Sequence, residues 1–417
     1  MEYIYILKQA LICVLTAFWC YQFAISLCAL VKLKDKPYLV NKNHKFMAII
    51  PAHNEEMVVG NLIESLKNQT YDKNLYDIYV IADNCTDKTA EVARKAGAIV
   101  YERFDNAHKT KGYALQWFLK QKIAENADYD AFFVFDADNI VDKNFIKNMN
   151  KKLCQGEEVV QGYRDIKNPT DNWITAGYAL FYWTMHRMYH LARYNIGLSP
   201  LLNGTGFMVK FDVVKPNGWE TETLTEDIEF SLKQIIQGRK LGWATDAIVY
   251  DEQPTSFKQS WSQRSRWTVG HMQCLKVYTG QLYKAVKKHK TLMNFDGLLY
   301  IAGTTPMLVL TFGIILLNCI MYAAQAMSAW LFIVNILNYL IPTLLFPIFT
   351  AIFVMILEKK PIKPMIKGLL CYPAFMGTWI IINLKCLFKR ETTWEKIDHV
   401  RDIKIAEVKE EEVPEKI

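Results

Sequence analysis

Two aspartates one residue apart, Asp136 and Asp138, close an apolar run that begins at Ala131 and reads AFFVFDADN. The small and apolar residues through Phe135 predict a buried strand of a parallel sheet. Ligands of open α/β sheets bind at the carboxyl ends of the strands, and paired hard oxygen ligands there suit Mg²⁺ or Mn²⁺ holding a diphosphate. A strand running into an Asp-rich turn would give the same letters, because Asp and Asn are good turn residues, so the neighbouring candidates must decide. Asp83 ends a second predicted strand and Asp227 opens a predicted helix. Four carboxylates on one sheet edge repel one another unless a cation or a basic ligand is bound there. Lys111, in a loop before a helix, offers a point charge to a phosphate; a solvated loop lysine is the alternative. Further on, residues 263–267 read Gln-Arg-Ser-Arg-Trp on a predicted helix, so that Gln263, Arg266 and Trp267 share one face. Arg grips phosphate bidentately and Trp stacks on the apolar face of a pyranose, which suits a diphosphate beside a sugar. The alternative for this stretch is an interfacial helix whose Arg and Trp reach the lipid headgroups.

The elements that would position these residues alternate. Strands are predicted over 46–51, 78–82, 98–102 and 131–135, with helices over 57–69, 88–95 and 112–124, the pattern of a parallel, Rossmann-like nucleotide-binding half. It lacks a G-x-G-x-x-G loop, so carboxylates, a metal and cations would hold the nucleotide. Residues 173–194, aromatic-rich and carrying His186, Arg187, His190 and Arg193, predict an amphipathic helix at a membrane interface or a helix in the core. Beyond it come a strand over 201–210, a helix from about 223 to 237, a strand over 242–251 and a helix over 256–278.

At 51% hydrophobic residues the 417-residue chain is too apolar for an ordinary soluble protein. Residues 9–31 and 297–357 carry no charge over 23 and 61 positions, where one membrane span needs about 20. At least three spans are expected. A 17-residue uncharged stretch, 368–384, contains Pro373 and is expected to be re-entrant. The first segment lacks a small-residue cleavage site and predicts a retained anchor. Lys32, Lys34 and Lys36 behind it, Lys287, Lys288 and Lys290 before the long run, and Lys359, Lys360, Lys363 and Lys367 after it place the domain between them in the cytosol. Nine cysteines without a C-x-x-C pair give neither a zinc site nor a disulfide framework. The net charge of +7 sits in membrane-flanking lysines, which suits anionic lipid and argues against nucleic acid.

The order His53-Asn54-Glu55, Asp83, Asp136-x-Asp138, Thr225-Glu226-Asp227 and Gln263-x-x-Arg266-Trp267 resembles the membrane-integrated family 2 glycosyltransferases, the group of cellulose, hyaluronan, chitin and poly-N-acetylglucosamine synthases, over residues 46–271. PAHNEE, ADNCTD, KGYAL and NGTGFMV are most similar to bacterial exopolysaccharide synthases of the methanolan type and related β-glucan synthases. The resemblance implies a GT-A (Rossmann-like) catalytic domain at 37–255, between a transmembrane anchor with its basic linker at 1–36 and an interfacial helical region at 256–292. Transmembrane helices at 293–388 and a charged tail at 389–417 would follow. It also implies transfer with inversion from a UDP-sugar, UDP-glucose favoured, to a growing β-linked polysaccharide coupled to export, in the plasma membrane. Carried over to this sequence, Ala52, His53, Asn54, Glu55 and Asp83 would hold the uridine, and Asp136 and Asp138 the metal. Lys111 and Arg266 would face the diphosphate, Asp227 would be the general base, and Asn203, Gly204, Gln263 and Trp267 would meet the acceptor. A homo-oligomer or an accessory export subunit is a possible partner beside the lipid bilayer. The larger synthases have more transmembrane helices, which leaves room for a single transfer to a lipid acceptor and, further off, for a non-catalytic membrane subunit.

The lysine clusters predict that residues 32–290 face the cytosol, where nucleotide sugars are made. Cysteine-accessibility labelling at Asn150 should therefore find the position shielded in intact cells; labelling from outside would overturn the topology.

Overall fold

The computed structural model describes residues 2–31 and 36–388; Lys32, Lys34 and the charged tail lie outside the described residues. One eight-stranded sheet organises the catalytic half: β1 (Phe46–Ala52), β2 (Tyr76–Asp83), β3 (Ile99–Arg103), β4 (Ala131–Val134), β5 (Ile140–Val141), β6 (Val159–Ile166), β7 (Phe207–Lys210) and β8 (Gly242–Asp251). The spatial order is β3-β2-β1-β4-β7-β6-β8-β5. The first four strands are parallel, as the alternation of strand and helix predicts. Successive side chains of a strand point to opposite faces. Phe46, Ala48 and Ile50 accordingly pack with Leu62, Ile63 and Leu66 of the Val59–Lys67 helix, while Met47 and Ile49 pack with Leu115, Phe118 and Leu119 of the Lys111–Ala124 helix. Both faces are covered, which is why these strands read as unbroken apolar runs.

The other half departs from the expected parallel pattern. β7 runs antiparallel to both β4 and β6, β6 is parallel to β8, and β5 is antiparallel to β8. β6 was hidden because Gln161, Arg164 and Asp165 break its apolar run; all three are buried and hydrogen-bonded. The predicted strand over 201–210 is a strand only at Phe207–Lys210. Its first half is a loop in which Gly204 and Gly206 take φ of +92° and +63°, a region closed to most side chains.

Residues 173–194 form a core helix and not an interfacial one. Asn172 and Thr175 make a capping box at its start, the Trp173–Thr184 helix is buried over most of its length, and a π-helical segment, Met185–Leu191, continues it with His186 and His190 buried. Against this helix lies another, Ile366–Phe388, which absorbs the 368–384 stretch expected to be re-entrant into one continuous element. Small residues let the two meet. A side chain on Gly177 would start 2.6 Å from the Phe375 ring, and one on Gly368 would start 2.4 Å from Ala176 Cβ.

Among the described residues four segments, Glu2–Leu30, Thr305–Ala323, Ala329–Leu357 and Lys363–Phe388, are long and apolar enough to cross a membrane. The N-terminal one is tied to the rest by a buried ion pair. Arg193 donates to Asp296 at 2.8 and 3.1 Å and to Gln22 at 2.8 Å, Tyr21 donates to Asp296 at 3.0 Å, and the guanidinium lies 3.6 Å from the Tyr189 ring centre. A buried charge is tolerated when paired and hydrogen-bonded in this way. The QRSRW stretch lies on the Phe257–His289 helix, 33 residues long and so extending well beyond the predicted end.

Candidate active site

The carboxyl ends of β1, β2 and β4 deliver the predicted residues to one edge of the sheet. Asn54 and Asn84 turn the chain with φ of 57° and 52°, a conformation asparagine reaches more readily than most residues. His53 Nδ1 lies 2.7 Å from the Asp83 carbonyl oxygen, and Asn54 Oδ1 accepts from the Thr86 amide at 2.7 Å. The Glu55 amide donates to Thr89 Oγ1 at 2.7 Å. The two turns, 52–55 and 83–87, are thereby fastened together. Asp83 accepts from Arg103 Nη1 at 2.6 Å and from Asn84 Nδ2 at 3.0 Å. Burial raises its carboxyl above the ordinary range and Arg103 opposes that rise.

At the end of β4 the chain turns sharply. The Asp136 amide donates to Asn139 Oδ1 at 3.1 Å and to Thr205 Oγ1 at 3.0 Å, which fixes both carboxylates of the D-x-D pair against the β7 side of the sheet. Asp136, Asp138 and Asp251 each place one carboxylate oxygen within 4.8 Å of the others. Asp251 was not anticipated, although a carboxylate at the end of a predicted strand is the signal that had pointed to Asp83. The donor set fits a hard divalent cation: three crowded carboxylates in which burial pushes Asp251 up to about 7, with Arg164 pulling it back and Asp138 and Asp136 adding to the rise. Asp138 Oδ1 accepts from Asn139 Nδ2 at 3.3 Å and its Oδ2 from the Glu252 amide at 3.4 Å. Both oxygens of Asp251 already accept hydrogen bonds, Oδ1 from Asn139 at 2.8 Å and Oδ2 from Arg164 and Gln253.

Lys111 reaches the same edge from the start of its helix. Its Nζ is 2.5 Å from Asp136 Oδ1, 2.6 Å from the Gly204 carbonyl oxygen and 4.0 Å from Glu226 Oε1. Burial opposes its charge, and Asp136, Glu226 and Asp227 outweigh burial, so its pKa is raised. Beyond it the Glu226–Ile236 helix opens with two adjacent carboxylates. Burial and then Asp227 push Glu226 up to about 7. Asp227 is raised by burial, against the lowering by the Ile228 amide and Lys111. The helix amides do favour its ionised form, yet burial wins. The cap residue, Thr225, makes no side-chain capping bond.

The 201–206 loop brings Asn203 and Gly204 between these groups. Asn203 Nδ2 lies 2.9 Å from His186 Nε2, and its carbonyl accepts from Arg164 Nη1 at 2.8 Å. Burial, and then His190, push the His186 pKa well below the ordinary imidazole range, so a neutral ring meets Asn203. On the other side the QRSRW helix comes up to Thr225 at Gly270, where a side chain would start 2.5 Å from Thr225 Cγ2. Gln263, Arg266 and Trp267 are half-buried. Trp267 lies 6.1 Å from Tyr178, 6.5 Å from Tyr182 and 6.2 Å from Trp379 between ring centres. Arg266 makes no ion pair among the described residues, whereas Arg264 is fully buried, donating to the Phe375 carbonyl at 3.0 Å and to Thr378 Oγ1 at 2.8 Å. Of the two arginines in the stretch, Arg264 is the one bound into the fold.

A family model described as glycosyltransferase-like family 2 matches residues 44–270. The chain is 28% identical over 289 residues to the probable glycosyltransferase YdaM of Bacillus subtilis, covering 66% of this chain and 65% of that protein. It is 29% identical over 233 residues to a beta-monoglucosyldiacylglycerol synthase of Nostoc sp., covering 54% of this chain and 48% of that protein. The chain thus spans between about half and two thirds of the length of the relatives it matches. Its fold is similar to that of the mannosyltransferase PcManGT from Pyrobaculum calidifontis, solved in complex with GDP-Man and Mn²⁺. The TM-score is 0.60 at 15% identity, over 91% of this chain and 100% of that one. With more than half of its length matched by the family model and a GT-A sheet beneath the site, the chain belongs to the family 2 glycosyltransferases.

Proposed function

We propose that the protein is an inverting hexosyltransferase that moves a sugar from a UDP-sugar, UDP-glucose favoured, to the non-reducing end of a growing β-linked polysaccharide. The observation that carries this reading is the nearness of these groups around Gly204: Asp227 Oδ2 lies 3.8 Å from the point where a side chain on Gly204 would begin, and the Gly204 carbonyl accepts from Lys111, which pairs with Asp136. Single displacement needs that arrangement, because the acceptor hydroxyl must lose its proton on the face opposite the leaving phosphate. In this reading the 52–55 turn and Asp83 hold the uridine, Lys111 and Arg266 neutralise the diphosphate, and Asp136 and Asp138 hold Mg²⁺ or Mn²⁺. The cation, when bound, supplies Lewis-acid stabilisation of the departing diphosphate. Gln263 and Trp267, with Asn203 and Gly204, position the acceptor sugar. The reading includes a multi-pass protein of the plasma membrane with its catalytic half in the cytosol; the four apolar segments found among the described residues support it.

One observation favours a second reading, transfer of a single sugar to a lipid: the 29% identity with a beta-monoglucosyldiacylglycerol synthase. Membranes carrying the full chain, supplied with radiolabelled UDP-glucose, separate the two. Label in a high-mass polymer supports the polysaccharide, label in a chloroform-soluble glycolipid supports the lipid, and incorporation only from another nucleotide sugar rules out UDP-glucose as donor.

The Asp227→Asn variant tests the base. Asp227 is the second residue of its helix, behind the cap at Thr225, and asparagine has nearly the same shape, so at a merely structural position the change would leave turnover near the wild-type rate. As a base its replacement should lower turnover by about 10²- to 10⁴-fold with UDP binding and Tm near wild type. In the wild type, turnover should rise with pH through the Asp227 pKa, because only the ionised carboxylate accepts the proton. Burial places that rise above the ordinary aspartate range. Polymerisation by the Asn variant at the wild-type rate would remove Asp227 from the mechanism.

A further inference from the structure

One buried cation at the site has no part in the chemistry so far. Arg164 stands in β6 at 6% exposure. Its Nε donates to Asp251 Oδ2 at 2.9 Å and its Nη2 donates to the same oxygen, its Nη1 donates to the Asn203 carbonyl at 2.8 Å, and its guanidinium lies 4.5 Å from the Tyr182 ring centre. The second hydrogen on Nη1 is not used in any of these bonds. The fork is therefore held from three sides, with two of its five hydrogens left over, one of them on Nη1.

That donor faces a small gap. The point where a side chain of residue 204 would begin is 3.7 Å from Arg164 Nη1 and 3.8 Å from Asp227 Oδ2, and no other heavy atom outside the neighbouring residues lies within 4 Å among the described residues. The φ of +92° favours glycine here, and with no side chain at 204 this space stays open. On its other side the Gly204 carbonyl is held by Lys111, so the gap keeps a fixed relation to the Asp136 end of the site. A hydrogen-bond donor on one wall and a carboxylate on the other match a hydroxyl group, which has two lone pairs and one hydrogen.

We propose that the gap beside Gly204 receives the attacking hydroxyl of the acceptor and that Arg164 is the residue that orients it. The inference rests on the reading of Asp227 as the base. Nη1–H donates to one lone pair of the hydroxyl oxygen, the other lone pair forms the new bond to the anomeric carbon, and the hydroxyl proton passes to Asp227 Oδ2. The bond from the anomeric carbon to the diphosphate oxygen breaks as the new one forms, and its electron pair leaves with the nucleoside diphosphate. Asp251 then has a role other than metal binding: with Asn139 and Gln253 completing its hydrogen bonds, it locks the Arg164 fork at the angle that points Nη1 at the gap. A lysine could carry the charge but could not hold Asp251 and Asn203 and still offer a directed donor.

The test uses purified full-length protein in detergent, with UDP-glucose and Mn²⁺ as donor and cellotetraose or dioleoylglycerol micelles as acceptor. Arg164→Lys and Arg164→Gln should raise the acceptor KM about tenfold to a hundredfold, the loss expected for a charged hydrogen bond, and Arg164→Lys, which keeps the charge beside Asp251, should still bind UDP. Gly204→Ala should fill the gap and lose transfer with UDP binding intact. Arg164 variants that melt like the wild type and keep its acceptor KM overturn the inference, as does a UDP affinity of Arg164→Lys that falls in step with transfer. If Arg164→Gln does not fold, Arg164→Lys and Gly204→Ala decide. Asp227→Asn in the same assay separates the two claims. A wild-type rate there removes the base and the inference with it, whereas an inactive Asp227→Asn beside unaffected Arg164 variants removes the inference alone.

Discussion

The constraint on which the site depends is electrostatic. The sheet brings Asp136, Asp138, Asp251, Glu226 and Asp227 to one edge, and like charges at such spacing raise one another's pKa or force neutralisation. Fixed cations answer this, Lys111 against Asp136, Arg164 against Asp251 and Lys167 beside Asp138. A divalent cation held by the carboxylates would relieve the repulsion further.

The apolar helices take part in this arrangement directly. Arg264 runs from the QRSRW helix into the backbone of the Ile366–Phe388 helix, and Trp379 of that helix stands beside Trp267 and Phe181. Lys360, in the connection before it, pairs with Asp165 of β6, the strand that carries Arg164. A tilt of the last apolar helix would move the Trp267 ring and pull on β6 at once. The last apolar helix is thus packed against the elements that carry Trp267 and Arg164, with close contacts at Gly177 and Gly368 that admit no larger residue.

The parallel half of the sheet was legible because its strands are covered on both faces and run apolar without interruption; Phe46 to Ile50 and Ala131 to Val134 leave little choice. The carboxylates at the strand ends were legible for the same reason, since each follows such a run. β6 was not, because a strand lined with buried Gln161, Arg164 and Asp165 has the letters of a surface loop, and only their partners on distant segments show that their burial is satisfied. Arg164 shares that cause: it makes sense only beside Asp251, 87 residues away in the chain. The 173–194 helix was ambiguous between interface and core because its partner, the Ile366–Phe388 helix, is itself apolar and had been expected to fold back on itself.

The central claim is that the Asp136 and Asp138 pair binds nucleoside diphosphate through a divalent cation. Calorimetric titration of UDP into the full-length protein in detergent, with Mn²⁺ and then with EDTA, tests it most directly, in the wild type and in Asp138→Ala. The account predicts binding that collapses with EDTA in the wild type and that Mn²⁺ fails to restore in Asp138→Ala. Equal UDP affinity with and without EDTA in the wild type would contradict it.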